Sequence, residues 1–327
     1  MAKSKRLYKK GDDHYSHRLL SYFQTNIEDP IVRLQTIRDH IYKIETKNEK
    51  YVGKGFSNAA SLKKQKWLTE KLHQSGFRKT YRFLKAKPDE GLQLDGKSYG
   101  ILKWVEHHKE NFQYNSIQNC IEGILLVHEF HSKNKTFLEE GSHYFPRSKP
   151  YDKWVDRYQR FHANIPIIRS TVSPSILKEI KKWGRESLKN ISRLQPYSPG
   201  TKVILHGDVA HHNFIRTAEG ELYLIDFDLA SIGHPIHDYL QYANRILPYL
   251  QWDLKKLSEI PILSEQLKDP YFLYSLMYPT DIYREWNRVI QNNLLQSNRW
   301  LNILFDMTIE QFEKRQIFYD TLKVMVK

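Results

Sequence analysis

Residues 202–235 read KVILHGDVAHHNFIRTAEGELYLIDFDLASIGHP. Lys202–Leu205 is a short, mostly apolar run that predicts a buried strand, broken by His206-Gly207-Asp208. Phe214–Arg216 and Leu222–Ile225 are strand-like and flank Ala218-Glu219-Gly220, a sequence suited to a tight turn. The midpoint between Asn213 and Asp226 falls inside that turn. With regular pairing they oppose each other at the open end of the hairpin, side chains on one face and about 5 Å apart. A carboxylate and an amide oxygen so placed can share a hard cation such as magnesium. Asp208 precedes Asn213 by one short loop, which sets a further carboxylate beside the pair. One group to orient or deprotonate a hydroxyl, and a metal to neutralise phosphate charge, are what phosphoryl transfer requires.

Upstream, HIYKIET (40–46) and EKYVGKGF (49–56) read as two strands joined by a polar turn at Lys47–Asn48. In SNAASLKKQKWLTEKLHQSGF (57–77), Leu62, Trp67, Leu68 and Leu72 recur at helical spacing, and Gly76 suits a helix stop. TYRFLKA (80–86) and KSYGILKWVE (97–106) read as two more strands, while residues 1–30 are polar and read as peripheral. After Glu106 the pattern turns helical, with NSIQNCIEGILLVHEFHSK and SILKEIKKWGRESLKNISRL as amphipathic helices and several Pro-punctuated helices after about residue 237. The expected architecture is α+β and bilobal. A small N-terminal β-sheet lobe over 1–106 carries a peripheral N-terminal extension, and a larger, mainly helical C-terminal lobe over 107–327 carries the hairpin.

Composition narrows the partners. The 327 residues carry 51 Lys+Arg against 37 Asp+Glu, a net charge of +14, which favours anionic partners. The one cysteine, Cys120, excludes an internal disulfide and reads as core. No apolar run reaches membrane length, and the N-terminus lacks the apolar core of a signal peptide. A cytoplasmic location is therefore expected, and no membrane span. Basic runs such as KKQK fall on helix-like segments where solvated lysine faces are usual, and no nucleic-acid module is present, so nucleic acid is not expected as a partner.

HGDVAHHN resembles the catalytic loop of the aminoglycoside phosphotransferase and choline kinase-like family, whose pattern is H-G-D-x4-N. LIDFD resembles that family's metal-binding segment, and GHPIHDYL resembles its G-[DN]-P-x-x-D-L stretch, with His234 and Tyr239 as departures. Protein kinases carry a related H-R-D-x4-N loop and D-F-G. The resemblance implies a protein kinase-like fold and an ATP- and magnesium-dependent transfer to the hydroxyl of a small molecule. It implies Asp208 as catalytic base, with His206 heading its loop, and Asn213 and Asp226 as magnesium ligands, with Asp228 sharing the face of Asp226. It also implies that Asp238 supports the loop from a helix start. YVGKGF resembles the family's Y-[VI]-L-K-x-[FY] strand, which makes Lys54 the phosphate-binding lysine. Family helices place a glutamate about eleven residues before the closing glycine. That position here is Gln65, and Glu70 is the one acid in the helix. ILKWVEHH resembles the passage where such folds hold adenine, so Ile101, Leu102, Trp104 and Glu106 are expected to line the nucleotide site.

Two other readings compete. The histidines 206, 211, 212, 234 and 237 could build a metallohydrolase site. His211 and His212 stand where they either touch substrate or face solvent. Some members of the superfamily look like spore-coat structural proteins, and a basic chain with 21 Tyr would suit such a surface assembly or another anionic surface, with spore association as the corresponding location. Among enzymatic substrates, the charge balance points to an uncharged or anionic hydroxyl compound, not a polycationic one. The aromatic residues after position 239 read as core in the main, with a substrate pocket as the alternative.

Overall fold

The structure, a computed structural model, describes residues 13–108, 110–196 and 200–327. The chain forms two compact units, one of residues up to Glu110 together with Ile215–Asp228, the other of Asn111–Phe214 and Leu229–Lys327.

The first unit is built on a five-stranded antiparallel sheet, in the order β1-β2-β3-β5-β4. Its strands are β1 (Ile31–Arg38), β2 (Ile41–Thr46), β3 (Lys50–Phe56), β4 (Leu92–Leu94) and β5 (Lys97–Lys103). Lys54 lies on the central strand, opposite Ile41 of β2 and Gly100 of β5. Two helices accompany the sheet, α1 (Asp13–Asn26) and α2 (Ala59–Gln74), the second capped by Asn58 accepting from the Ser61 amide at 2.8 Å. Alternation along β3 puts Gly53 on the face opposite Lys54. A Cβ at Gly53 would sit 2.3 Å from the Phe23 ring, so glycine is what lets α1 press Phe23 onto the sheet.

Two expectations are corrected here. The N-terminal region is not peripheral, because α1 buries Leu19, Tyr22 and Phe23 against Ile44, Tyr99 and Ile101; residues 1–12 of the proposed extension lie outside the described residues. TYRFLKA is not a strand but makes a single bridge from Phe83 to Leu102. The outer edge of β5 is already occupied by β4 over Lys97–Tyr99, which leaves only its last residues for this segment. The hairpin strands β7 (Phe214–Arg216) and β8 (Leu222–Leu224) attach to this unit through His108 N–H to Arg216 O at 2.8 Å and Leu224 N–H to Lys79 O at 2.9 Å.

The second unit is helical around a two-stranded sheet of β6 (Val203–Leu205) and β9 (Ser231–Gly233). Its helices of eight residues or more are α3 (Ile117–Asn134), α4 (Pro150–Ala163), α5 (Pro174–Ile191), α6 (Ile236–Ile246), α7 (Pro270–Met277), α8 (Thr280–Gln291), α9 (Asn298–Phe305) and α10 (Phe312–Met325). Asn134 at the end of α3 donates to Ile204 O at 2.8 Å and accepts from Ile204 N at 2.9 Å, so its amide closes one edge of β6. Cys120 is buried on α3, as expected. Tyr242, Tyr278, Tyr283 and Trp286 are core, whereas Tyr249 is exposed. The buried hydroxyls are satisfied by carbonyls: Tyr278 donates to Trp154 O and Tyr283 to Ile180 O, both at 2.6 Å. Among the described residues no helix is long and apolar enough to cross a membrane.

Candidate active site

In the first unit, Lys54 is buried, and its Nζ donates to Asp226 Oδ1 at 2.8 Å and Asp228 Oδ1 at 3.1 Å. Arg38 approaches Asp226 Oδ2 at 3.5 Å from β1. Gln65 of α2, almost fully buried, donates through Nε2 to Asp228 Oδ1 and accepts from the Tyr81 hydroxyl at 2.6 Å. The helix thus turns an amide toward the lysine–aspartate cluster, while Glu70 faces solvent and takes a bond from Gln74, at 3.4 Å. Asp226 lies beyond the end of β8 with φ 70°, a left-handed backbone unusual for a residue with a side chain and typical of functional sites.

The passage from β5 into the linker buries Ile101 and Leu102, half-buries Trp104 and exposes Glu106. Lys43 Nζ lies 5.0 Å above the Trp104 ring, and Lys50 Nζ donates to Glu106 Oε1 at 2.6 Å. Trp104, Val105 and Glu106 also line a cavity of about 420 Å³ with Tyr81, Arg82 and Tyr223.

In the second unit, β6 delivers the chain into His206-Gly207-Asp208. The His206 amide donates to Asp238 Oδ2 at 2.7 Å and the Gly207 amide to Asp238 Oδ1 at 3.0 Å. His131 Nε2 completes the carboxylate at 2.8 Å. Burial pushes the Asp238 carboxyl up, but the His131 hydrogen bond and charge, with His206, outweigh it and hold the group below the usual carboxylate range. One turn on, Gln241 accepts from Val209 N at 2.6 Å and donates to Gly207 O at 2.9 Å. The start of α6 therefore grips the loop by its backbone. Gly207 has φ 81°, and a Cβ there would meet Leu229 O at 2.4 Å.

Asp208 is held by Arg245, whose Nη2 donates to Oδ1 at 3.1 Å. Asn213 donates through Nδ2 to Asp208 O at 2.8 Å. Asn213 ends a short 3-10 turn, His211–Asn213, and β8 stops at Leu224, so strand pairing reaches neither Asn213 nor Asp226. His212 is exposed, 4.0 Å from Asp208 Oδ2, while His211 packs edge-on to Tyr114.

His131, Gln241, Arg245 and Tyr81 were missed in the sequence. Gln241 and Arg245 stand three and seven positions after Asp238, on the same helical face, which is a readable signal. His131 and Tyr81 come from elsewhere in the chain and carry none.

No group of three or more His, Cys, Asp or Glu positioned for a metal occurs among the described residues. Magnesium held by one or two carboxylates and by nucleotide phosphates needs no such group. Asp226 and Asp228, two carboxylates converging on one lysine, are a donor set that fits it.

Residues 42–252 match the profile of the phosphotransferase enzyme family. Solved structures of similar fold include an aminoglycoside phosphotransferase from Alicyclobacillus acidocaldarius, at TM-score 0.73 and 16% identity, covering 92% of this chain and 94% of that one. A spectinomycin phosphotransferase in complex with AMP follows at 0.62 and 16%, with 93% and 98% covered. A choline kinase from Streptococcus pneumoniae stands at 0.56 and 13%, with 94% and 100% covered. No curated protein matches the sequence. A sheet-based N-terminal unit, a helical unit carrying H-G-D-x4-N and a profile match over most of the chain lead to one conclusion: this chain belongs to the phosphotransferase enzyme family and has its protein kinase-like fold.

Proposed function

We propose that the chain transfers the γ-phosphate of ATP to a hydroxyl group of a small molecule. The observation that carries this reading is the buried Lys54 held on Asp226 and Asp228, a phosphate-binding cation stored against two metal-type carboxylates. Lys54 would exchange these partners for nucleotide phosphates, leaving the carboxylates to a cation. Asp226 and Asp228, and by family resemblance Asn213, are the groups that would hold magnesium. When bound, magnesium neutralises charge on the transferring phosphate. Ile101, Leu102, Trp104 and Glu106 would line the adenine site. Asp208 would take the proton of the acceptor hydroxyl, its loop fixed by Asp238 and Gln241 and its carboxylate oriented by Arg245.

A second reading, a catalytically weak kinase-like structural protein, has one observation in its favour. The helix α2 turns Gln65, not a carboxylate, toward the Lys54 cluster, so it supplies no charge to orient the lysine. Calorimetry with ATP, with and without magnesium, combined with a phosphotransfer screen over hydroxyl compounds, separates the two. Magnesium-dependent binding with turnover is expected; magnesium-independent binding, or none, with no turnover would favour the structural protein.

A further inference from the structure

We propose that Arg157, Arg245 and Arg284 form an anion-binding site beside Asp208 that takes a carboxylate or phosphate group of the acceptor. This rests on the reading of Asp208 as the base, and it names the acceptor class: a hydroxyl compound that carries a negative charge.

Three helices of the second unit converge here. Arg245 comes from α6 and reaches Asp208 Oδ1 at 3.1 Å, while its Nε is buried with no hydrogen-bond partner. Arg157 comes from α4 and donates to the Thr280 hydroxyl at 3.1 Å, at the first residue of α8. Arg284 stands one turn later on α8, on the same helical face as Thr280. Asn287 Nδ2 donates to Arg157 O at 2.9 Å, which ties α8 to α4 along this stretch.

The charges do not balance. Arg284 donates to Glu285 at 2.9 Å, but Glu285 also pairs with Arg288. Asp208 faces Arg245, and the hydroxyl that holds Arg157 is neutral. Two further carboxylates act on the cluster, Asp156 on Arg157 and Asp281 on Arg284, but each is already paired, with Arg160 and Arg315 respectively, so six guanidinium groups share four carboxylates. Asn244 of α6 and Pro279 and Asp281 at the start of α8 line one small cavity, and burial first, then repulsion from Arg284, pushes both Arg157 and Arg245 below the usual arginine range. The side chains of Arg245 and Arg284 remain about one-third exposed, so the cluster opens to solvent.

Cations gathered with too few anions are costly in the free protein and are relieved by a bound anion. The planar guanidinium fork matches carboxylate and phosphate geometry in two parallel hydrogen bonds. An anionic group held at Arg157 and Arg284 would leave a neighbouring hydroxyl of the same molecule free to meet Asp208. The same positive field would repel a cationic acceptor.

The test uses the full chain and matched probes: glycerate, gluconate, glycerol 3-phosphate and glucose 6-phosphate against glycerol and glucose. Binding is measured by calorimetry without nucleotide, and transfer by a coupled assay with ATP and magnesium. At least one anion should bind about tenfold or more tighter than its neutral counterpart, with affinity falling as salt rises. Arg157→Gln and Arg284→Gln should each weaken that anion about tenfold or more, and Arg157→Lys should restore part of it. Thermal melting identifies a variant that fails to fold, and the two glutamine changes lie on different helices, so either alone can carry the result. The carboxylate and phosphate arms show which anion the site takes. Neutral compounds binding as well as every anion, no anion binding at all, or glutamine variants with unchanged anion affinity would each overturn the site. Anion binding lost in the variants, with no transfer to any probe, upholds the site and counts against the phosphotransferase reading. Transfer to glycerol or glucose with no preference for the anions does the reverse.

Discussion

The amide of His206 donates to Asp238 Oδ2 at 2.7 Å, so the residue that opens the H-G-D loop is fixed by one 32 positions later. The same carboxylate takes the Gly207 amide and the His131 ring, and His206, His131 and Asp238 are all buried. Loop and helix start form one rigid piece, and Asp208 extends from it.

Asp238→Ala strips two backbone amides and a buried imidazole of their acceptor. Removing one partner from such a buried charged network costs about 3–5 kcal/mol. Urea denaturation at pH 7 should show that loss. The Asp238 carboxyl titrates below the usual range in the folded chain, so its stabilisation is present above the unfolded carboxyl range and is lost as pH falls through the folded value. The gap between wild type and variant should therefore shrink in acid; a gap that widens there would contradict the assignment.

Asp208→Asn keeps the shape of the side chain and removes the proton acceptor. Phosphate transfer should fall by about 10²–10⁴-fold. ATP affinity, read by calorimetry, should stay within about threefold, since a base acting on the acceptor contributes in the transition state. Equal losses in rate and in ATP affinity would place Asp208 in nucleotide binding instead.

Asp226→Ala combined with Asp228→Ala removes both carboxylates that hold Lys54. ATP titrations should then give the same affinity with and without magnesium. The single Asp226→Ala variant should retain part of the effect through Asp228. An undiminished magnesium effect in the double variant would rule out this metal site.

Gly207→Ala meets two obstacles, a φ of 81° and a carbonyl oxygen 2.4 Å from the new Cβ. The backbone term alone costs about 1–2 kcal/mol. Gly220→Ala, with φ 89° and nothing within 4 Å, is the comparison that carries the backbone term without the clash. Melting temperature should drop further for Gly207→Ala, and turnover should drop only there. Equal shifts in both variants would remove the close approach of Leu229 as the reason for this glycine.

Sequence pattern by itself determined the local elements and the chemistry-bearing loop. Strands β2, β3 and β5 and helices α2, α3 and α5 followed from two-residue and 3.6-residue apolar periods, which depend on nearby residues alone. The H-G-D-x4-N and I-D-F-D residues were legible because side-chain type and spacing set their chemistry before any folding. Tertiary structure decided what those periods could not carry. The polar-looking α1 became core because Gly53 of β3 leaves room for its Phe23 ring. TYRFLKA lost its strand because β4 already occupied that edge of β5. Gln65 faces Asp228 and Glu70 faces solvent, a choice made by helix rotation against Tyr81 and not by residue type. His131, Arg157 and Arg284 come from helices far apart in sequence. Burial and charge pairing between such distant residues are set only when the helices pack, so no spacing along the chain foretold them.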